Sequence, residues 1–124
     1  MYSLFEPAPD DNEADGEALK QLAHALLDAT RKTLVRDARR SLLEHILRHG
    51  TATIDDVRAL VPIPPGINPK VFGAVPGPLA KAGSIRAVGF KRTDRNVAHA
   101  RILTIWAIAD TAKATAQLTA LRTA

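Results

Sequence analysis

The chain has no cysteine in 124 residues, which excludes disulfides and thiolate metal sites and leaves the redox compartment open. Only 4% of it is aromatic, so the core must be built from aliphatic side chains. No apolar run approaches the roughly 20 residues a membrane span needs. Met1 to Glu6 has the character of no signal peptide, so a soluble, cytoplasmic protein is expected. There is no glycine-rich phosphate loop and no nucleophile elbow, and the carboxylates cluster in the first residues and at helix starts rather than forming an acid/base pair. No enzymatic activity, cofactor or small-molecule ligand is expected. His45 and His49 have the i, i+4 spacing of metal ligands on a helix, but no third ligand accompanies them. Glu44 beside His45 does not reproduce the order of a zinc-protease motif. No metal is expected there, and His49 reads as a partner for the negative end of its helix.

What the chain does have is aliphatic mass and an uneven charge. At 46% hydrophobic, a domain near this size buries roughly two thirds of its unfolded surface, enough for stability without staples. Net charge is +4, divided as −6 over residues 1–30 and +10 over residues 31–124. A basic body behind an acidic leader is the footprint of a polyanion binder.

Residues 1–14, acidic and interrupted by Pro7 and Pro9, predict a disordered leader. Glu17 to Arg48 contains neither proline nor glycine. Leu19, Leu22, Ala23 and Leu26 form one helical stripe, and Val35, Ala38, Leu42 and Ile46 form another. Asp28 and Thr30 are residue types that cap a new helix, so the pattern predicts a short flanking helix within residues 15–30 and a main helix from about Arg31, stopped by Gly50. The leucines of the first helix need either the domain's own core or a second copy of the chain, and of the two a homodimer through residues 17–28 and the C-terminal segment is expected. Lys32, Arg36, Arg39 and Arg40 share the polar face of the main helix.

Thr51 to Thr53 suits a very short strand. Thr53 then opens a capping box with Asp56 for a helix over Ile54 to Leu60, with Asp55 and Asp56 at its positive end. The prolines and glycine of Pro62 to Gly66 make a stiff turn, and Asn68-Pro69 starts the next helix. Lys70 lies in its first turn. Pro76 and Pro78 interrupt that helix, which predicts two pieces, about Pro69 to Ala74 and Pro78 to Ala82, with Gly83 as a left-handed stop. Ser84 to Phe90 and Arg101 to Ile108 are strand-prone and flank a basic loop over Lys91 to Ala98. Alternation puts Ile102, Thr104, Trp106 and Ile108 on one face, with Trp106 as a core anchor. Asp110 to Ala124 reads as an Ala/Thr-rich tail or weak helix capped by Asp110.

Over about Arg31 to Ile108 this order of elements, with its capping signals, its glycine-ended helix and its basic hairpin tip, resembles the winged helix-turn-helix superfamily of DNA-binding domains. The resemblance implies a mainly α fold with a small β-hairpin: a three-helix core, a two- or three-stranded antiparallel wing, and extra N-terminal and C-terminal helices. It implies non-catalytic binding of double-stranded DNA, in transcription regulation or as a replication or phage-type accessory factor, with the protein nucleoid-associated in that case. Lys91, Arg92 and Arg95 on the wing would contact DNA, supported by His99, Arg101 and Arg86 near the hairpin, Lys70 on the recognition segment, and Arg39 and Arg40 on the main helix. The other use the resemblance offers is an assembly adaptor that binds protein and no DNA.

Overall fold

A single helix, α1, runs from Pro9 to His49 and forms one wall of the core. The computed structural model describes residues 9–93 and 101–123; the leader expected over residues 1–14 lies partly outside them, and from Pro9 the chain is already helical. The break expected at Asp28 to Thr30 is absent, and both residues show why. The Arg31 guanidinium donates to the Asp28 carboxylate at 2.9 Å, and the Thr30 hydroxyl donates to the Leu26 carbonyl at 2.8 Å. Each capping side chain is thus satisfied within the helix rather than starting a new one.

After α1, Gly50 takes a left-handed φ of 93° while its N–H donates to the Ile46 carbonyl at 2.7 Å, the glycine stop expected of it. Next come β1 (Thr51–Ala52) and α2 (Ile54–Leu60), at their expected places. The Asp56 carboxylate accepts from the Thr53 N–H at 2.8 Å, which anchors the start of α2. The proline-rich turn leads to a 3₁₀ helix over Pro69–Ala74 and then α3 (Pro76–Lys81). Asn68 caps the 3₁₀ helix by accepting from the Lys70 N–H at 2.9 Å. The second piece starts at Pro76, earlier than expected, because both prolines then sit in its first turn, where a missing N–H costs little. Gly83, with φ 85°, ends α3, and the Ser84 N–H reaches back to the Leu79 carbonyl at 3.0 Å.

β2 (Ile85–Arg92) and β3 (Ile102–Ile108) form an antiparallel hairpin, and β1 joins it to give a three-stranded sheet in the order β1-β3-β2. β2 is longer than expected: Lys91 and Arg92 belong to the strand, paired with Leu103 and Ile102, instead of to the loop. A bulge between Ala87 and Gly89 shifts the register. The expected alternation holds where Trp106 and Ile108 pack on the core, but at the far end Ile102 is exposed and Leu103 buried.

The core joins Ala38, Leu42, Leu43 and Ile46 of α1 to Val57, Phe72, Val75, Leu79 and Ile85. It is closed by α4 (Thr111–Thr123), which contributes Ala114 and Leu118. Asp110 accepts from the Lys113 N–H at 3.0 Å as the cap of α4, and Arg122 pairs with Glu44 of α1 at 2.9 Å. The C-terminal segment is therefore part of the core, to which it gives Ala114 and Leu118 with Leu121 packed beside them. The result is a mainly helical chain with a small antiparallel sheet. Among the described residues, no helix is long and apolar enough to cross a membrane.

Leu42 is fully buried at the centre of this cluster. Leu42→Ala is expected to lower the free energy of unfolding by about 2–5 kcal/mol, read as a fall in the urea midpoint with an unchanged slope.

Candidate nucleic-acid interface

The hairpin and the proline-interrupted segment face each other across a groove of about 570 Å³. Its floor includes Ile54, Phe72 and Trp106, and Lys70, Arg58 and Arg101 stand among its lining residues. Ile102 and Thr104 line it from β3. Direct cross-strand partners share a face of a sheet, so Phe90 and Arg92, opposite Thr104 and Ile102, stand on the same side. Lys70 and Arg101, predicted separately, are brought to one groove, and Arg92 stands beside it on the strand face of Ile102 and Thr104. Phe90 and Ile102 add an apolar tip, 70% and 71% exposed.

The hairpin is held over the groove by a chain of polar contacts. The Thr93 N–H donates to the Arg101 carbonyl at 2.9 Å, closing the hairpin at the point where the described strands end. The hydroxyl of Thr93, a buried residue, donates to the Asp55 carboxylate. Asp55 also lies 3.8 Å from the Arg58 guanidinium, one helical turn on. Arg58 in turn sits over the Phe72 ring, 5.1 Å from its centroid, and reaches the Pro69 carbonyl at 3.5 Å. Sequence reasoning assigned Asp55 only to the helix end and did not single out Arg58 or Thr93. The i, i+3 spacing of Asp55 and Arg58 was the available signal, whereas the Thr93 partnership spans 38 residues and leaves no local trace.

The remaining candidates divide. Arg86 is exposed on β2, opposite Ala107 and toward the other end of the hairpin. Lys91 is exposed, on the strand face opposite to that of Arg92. Arg95 and His99 lie outside the described residues. Arg39 serves the fold instead. Its Nη2 donates to the Ala74 carbonyl at 2.9 Å and its Nε to the Val75 carbonyl at 3.2 Å. The helical partner of the Ala74 carbonyl would be the N–H of residue 78, a proline, which has none. Arg39 supplies the missing donor. Arg40 lies 3.8 Å from Asp37 and lines a second, smaller hollow with Glu44, His45, Arg48 and His49, which shares no residue with the groove. In that hollow the His45 and His49 rings are 4.4 Å apart, and His45 lies 3.8 Å from Asp56. Among the described residues, no group of three or more His, Asp or Glu side chains is placed to hold a metal ion.

Comparisons with protein-family models, with curated proteins and with solved structures found no match.

Because its guanidinium replaces a backbone donor, Arg39→Ala is expected to destabilise the fold by about 1–3 kcal/mol. Arg40→Ala, which loses only a surface pair, is expected to shift stability by less than about 0.5 kcal/mol. Urea unfolding of the two variants side by side checks the contrast.

Proposed function

We propose that the chain is a winged helix-turn-helix domain that binds double-stranded DNA without catalysis, as a transcription regulator or an accessory factor of replication. The architecture that supports this is the succession α1-β1-α2-3₁₀/α3-β2-β3 with the last strand central in the sheet. The observation that carries the function is the convergence of Lys70, Arg58 and Arg101 on the one groove between the hairpin and the segment at the recognition position, with Arg92 next to it, paired with Ile102 of the lining.

The chemistry follows from that placement. Duplex DNA carries a dense line of phosphates, and cations fixed on a preformed surface displace its counterions. Lys70 lies beside the Asn68-capped start of the 3₁₀ helix, and Arg92 and Arg101 lie at the far part of the hairpin. A segment cut short by Pro76 and Pro78 offers little helix to a major groove. The hairpin therefore takes the larger share of the contact, with phosphates as its main target and exposed Phe90 and Ile102 available as an apolar wedge against a minor groove. Binding is dominated by charge.

The same exposed Phe90 and Ile102 favour a second reading, an assembly adaptor that docks protein through the hairpin tip. The two readings differ in salt dependence. For the DNA reading, the logarithm of affinity for a random duplex should fall linearly with the logarithm of salt concentration. Replacing Lys70, Arg92 and Arg101 together by alanine should flatten that slope by about two to three units. Retained folding with an unchanged slope, or no duplex affinity at low salt, sinks the DNA reading.

A further inference from the structure

Only the second half of α1 is needed by the core. Its first half projects with a row of leucines in water: Leu19 is 67% exposed, Leu22 57% and Leu26 61%. Leu27, on another flank of the same helix, is half-buried beside Gly66 of the proline-rich turn, so the domain supports this arm from one side and leaves the leucine row open. A projecting helix of about five turns, without a partner for its apolar stripe, is marginal in water.

The row has the spacing of a seam between helices. Leu19, Leu22, Leu26, Ala29 and Thr33 alternate steps of three and four, the a/d repeat of a coiled coil. The flanking positions are small, with Ala18, Ala23 and Ala25 all exposed, which lets two backbones approach closely. Charge then selects both the occupant and its direction. Asp15 and Glu17 lie at one end of the seam, and Arg31, Lys32 and Arg36 lie at the other. Parallel pairing would set acid against acid and base against base, which is destabilising. Antiparallel pairing centred near His24 sets Glu17 across from Arg31 of the second copy and Leu19 across from its Ala29.

We propose that residues 15–33 of α1 pair antiparallel with the same segment of a second copy, making the chain a homodimer held by the leucine row and its oppositely charged ends. This inference does not rest on the DNA reading, since it concerns a surface that contributes nothing to the groove. It replaces the expected contact through residues 17–28 and the C-terminal segment with one through α1 alone.

The full chain, measured by sedimentation equilibrium at about 100 µM, where even micromolar affinities are saturated, is expected to have twice the 13.3 kDa mass of one chain. The double variant L19Q/L26Q keeps helix-forming residues and should keep its circular dichroism and urea midpoint for the core. It is expected to be a monomer, with dimer affinity down by more than tenfold. Because the natural chain has no cysteine, orientation is read by oxidation: a mixture of Leu19→Cys and Ala29→Cys chains should cross-link to each other, and neither alone to itself. A single-chain mass for the natural protein, an undiminished dimer in the double variant, or self-cross-linking of Leu19→Cys overturns the proposal.

Discussion

The contact on which the groove depends is the tie from Thr93 through Asp55 to Arg58. A two-stranded hairpin is marginal alone, and this one extends beyond its contacts with the core, as exposed Phe90 and Ile102 show. Thr93 fastens its far part to the start of α2, and Arg58 carries the connection on to Phe72 and Pro69 at the start of the 3₁₀ helix. Three elements distant in sequence are thus held by one carboxylate and one guanidinium. The distance between the Lys70 side and the Arg101 side of the groove is set there. A surface meant to meet a stiff polyanion benefits from this, because ordering a loose hairpin at the moment of binding would cost conformational entropy.

Proline shapes the other wall. Pro76 and Pro78 divide the segment after the turn into a 3₁₀ helix and a single short α-helix, and they withhold an N–H from the carbonyls preceding them. Arg39, reaching across from α1, donates to one of these carbonyls, that of Ala74, and to the neighbouring carbonyl of Val75. A basic residue that resembles a phosphate contact in helical projection is in fact a structural donor. Arginine suits this role, since its fork of donors serves two acceptors while its charge is permanent. The proposed DNA surface is correspondingly narrower than the charge of the chain suggests, and it lies on the groove rather than over α1.

Much of the architecture was legible because it is coded locally. Gly50 and Gly83 act as helix stops, Asn68-Pro69 as a start, and the Thr53 to Asp56 spacing as a cap, each through a backbone requirement that only a few residue types meet. The element order from α1 to β3 followed. The errors came where local signals conflict or where the deciding contact is remote. Asp28 and Thr30 favour caps, yet their side chains can equally be satisfied inside a helix, and here they are. The C-terminal helix capped by Asp110 was read correctly, but nothing local says that Ala114 and Leu118 find the core or that Arg122 finds Glu44, 78 residues away. For the candidate interface, residue type was enough to pick out Lys70 and Arg101, which line the groove, but not Arg58, which lines it too. It had no means of finding the buried tie that sets their spacing, nor of separating Arg39 from Arg40.

The tie is tested most directly by hydrogen exchange at the Thr93 amide, which donates to the Arg101 carbonyl at 2.9 Å where the described strands end. In the natural chain this amide is expected to exchange slowly, as part of a fastened hairpin. In Asp55→Ala it should lose at least about tenfold in protection, equivalent to about 1.4 kcal/mol, while the Leu42 and Leu43 amides of α1 lose less. Equal protection at Thr93 in the two proteins would contradict the account, since the hairpin would then be held without Asp55.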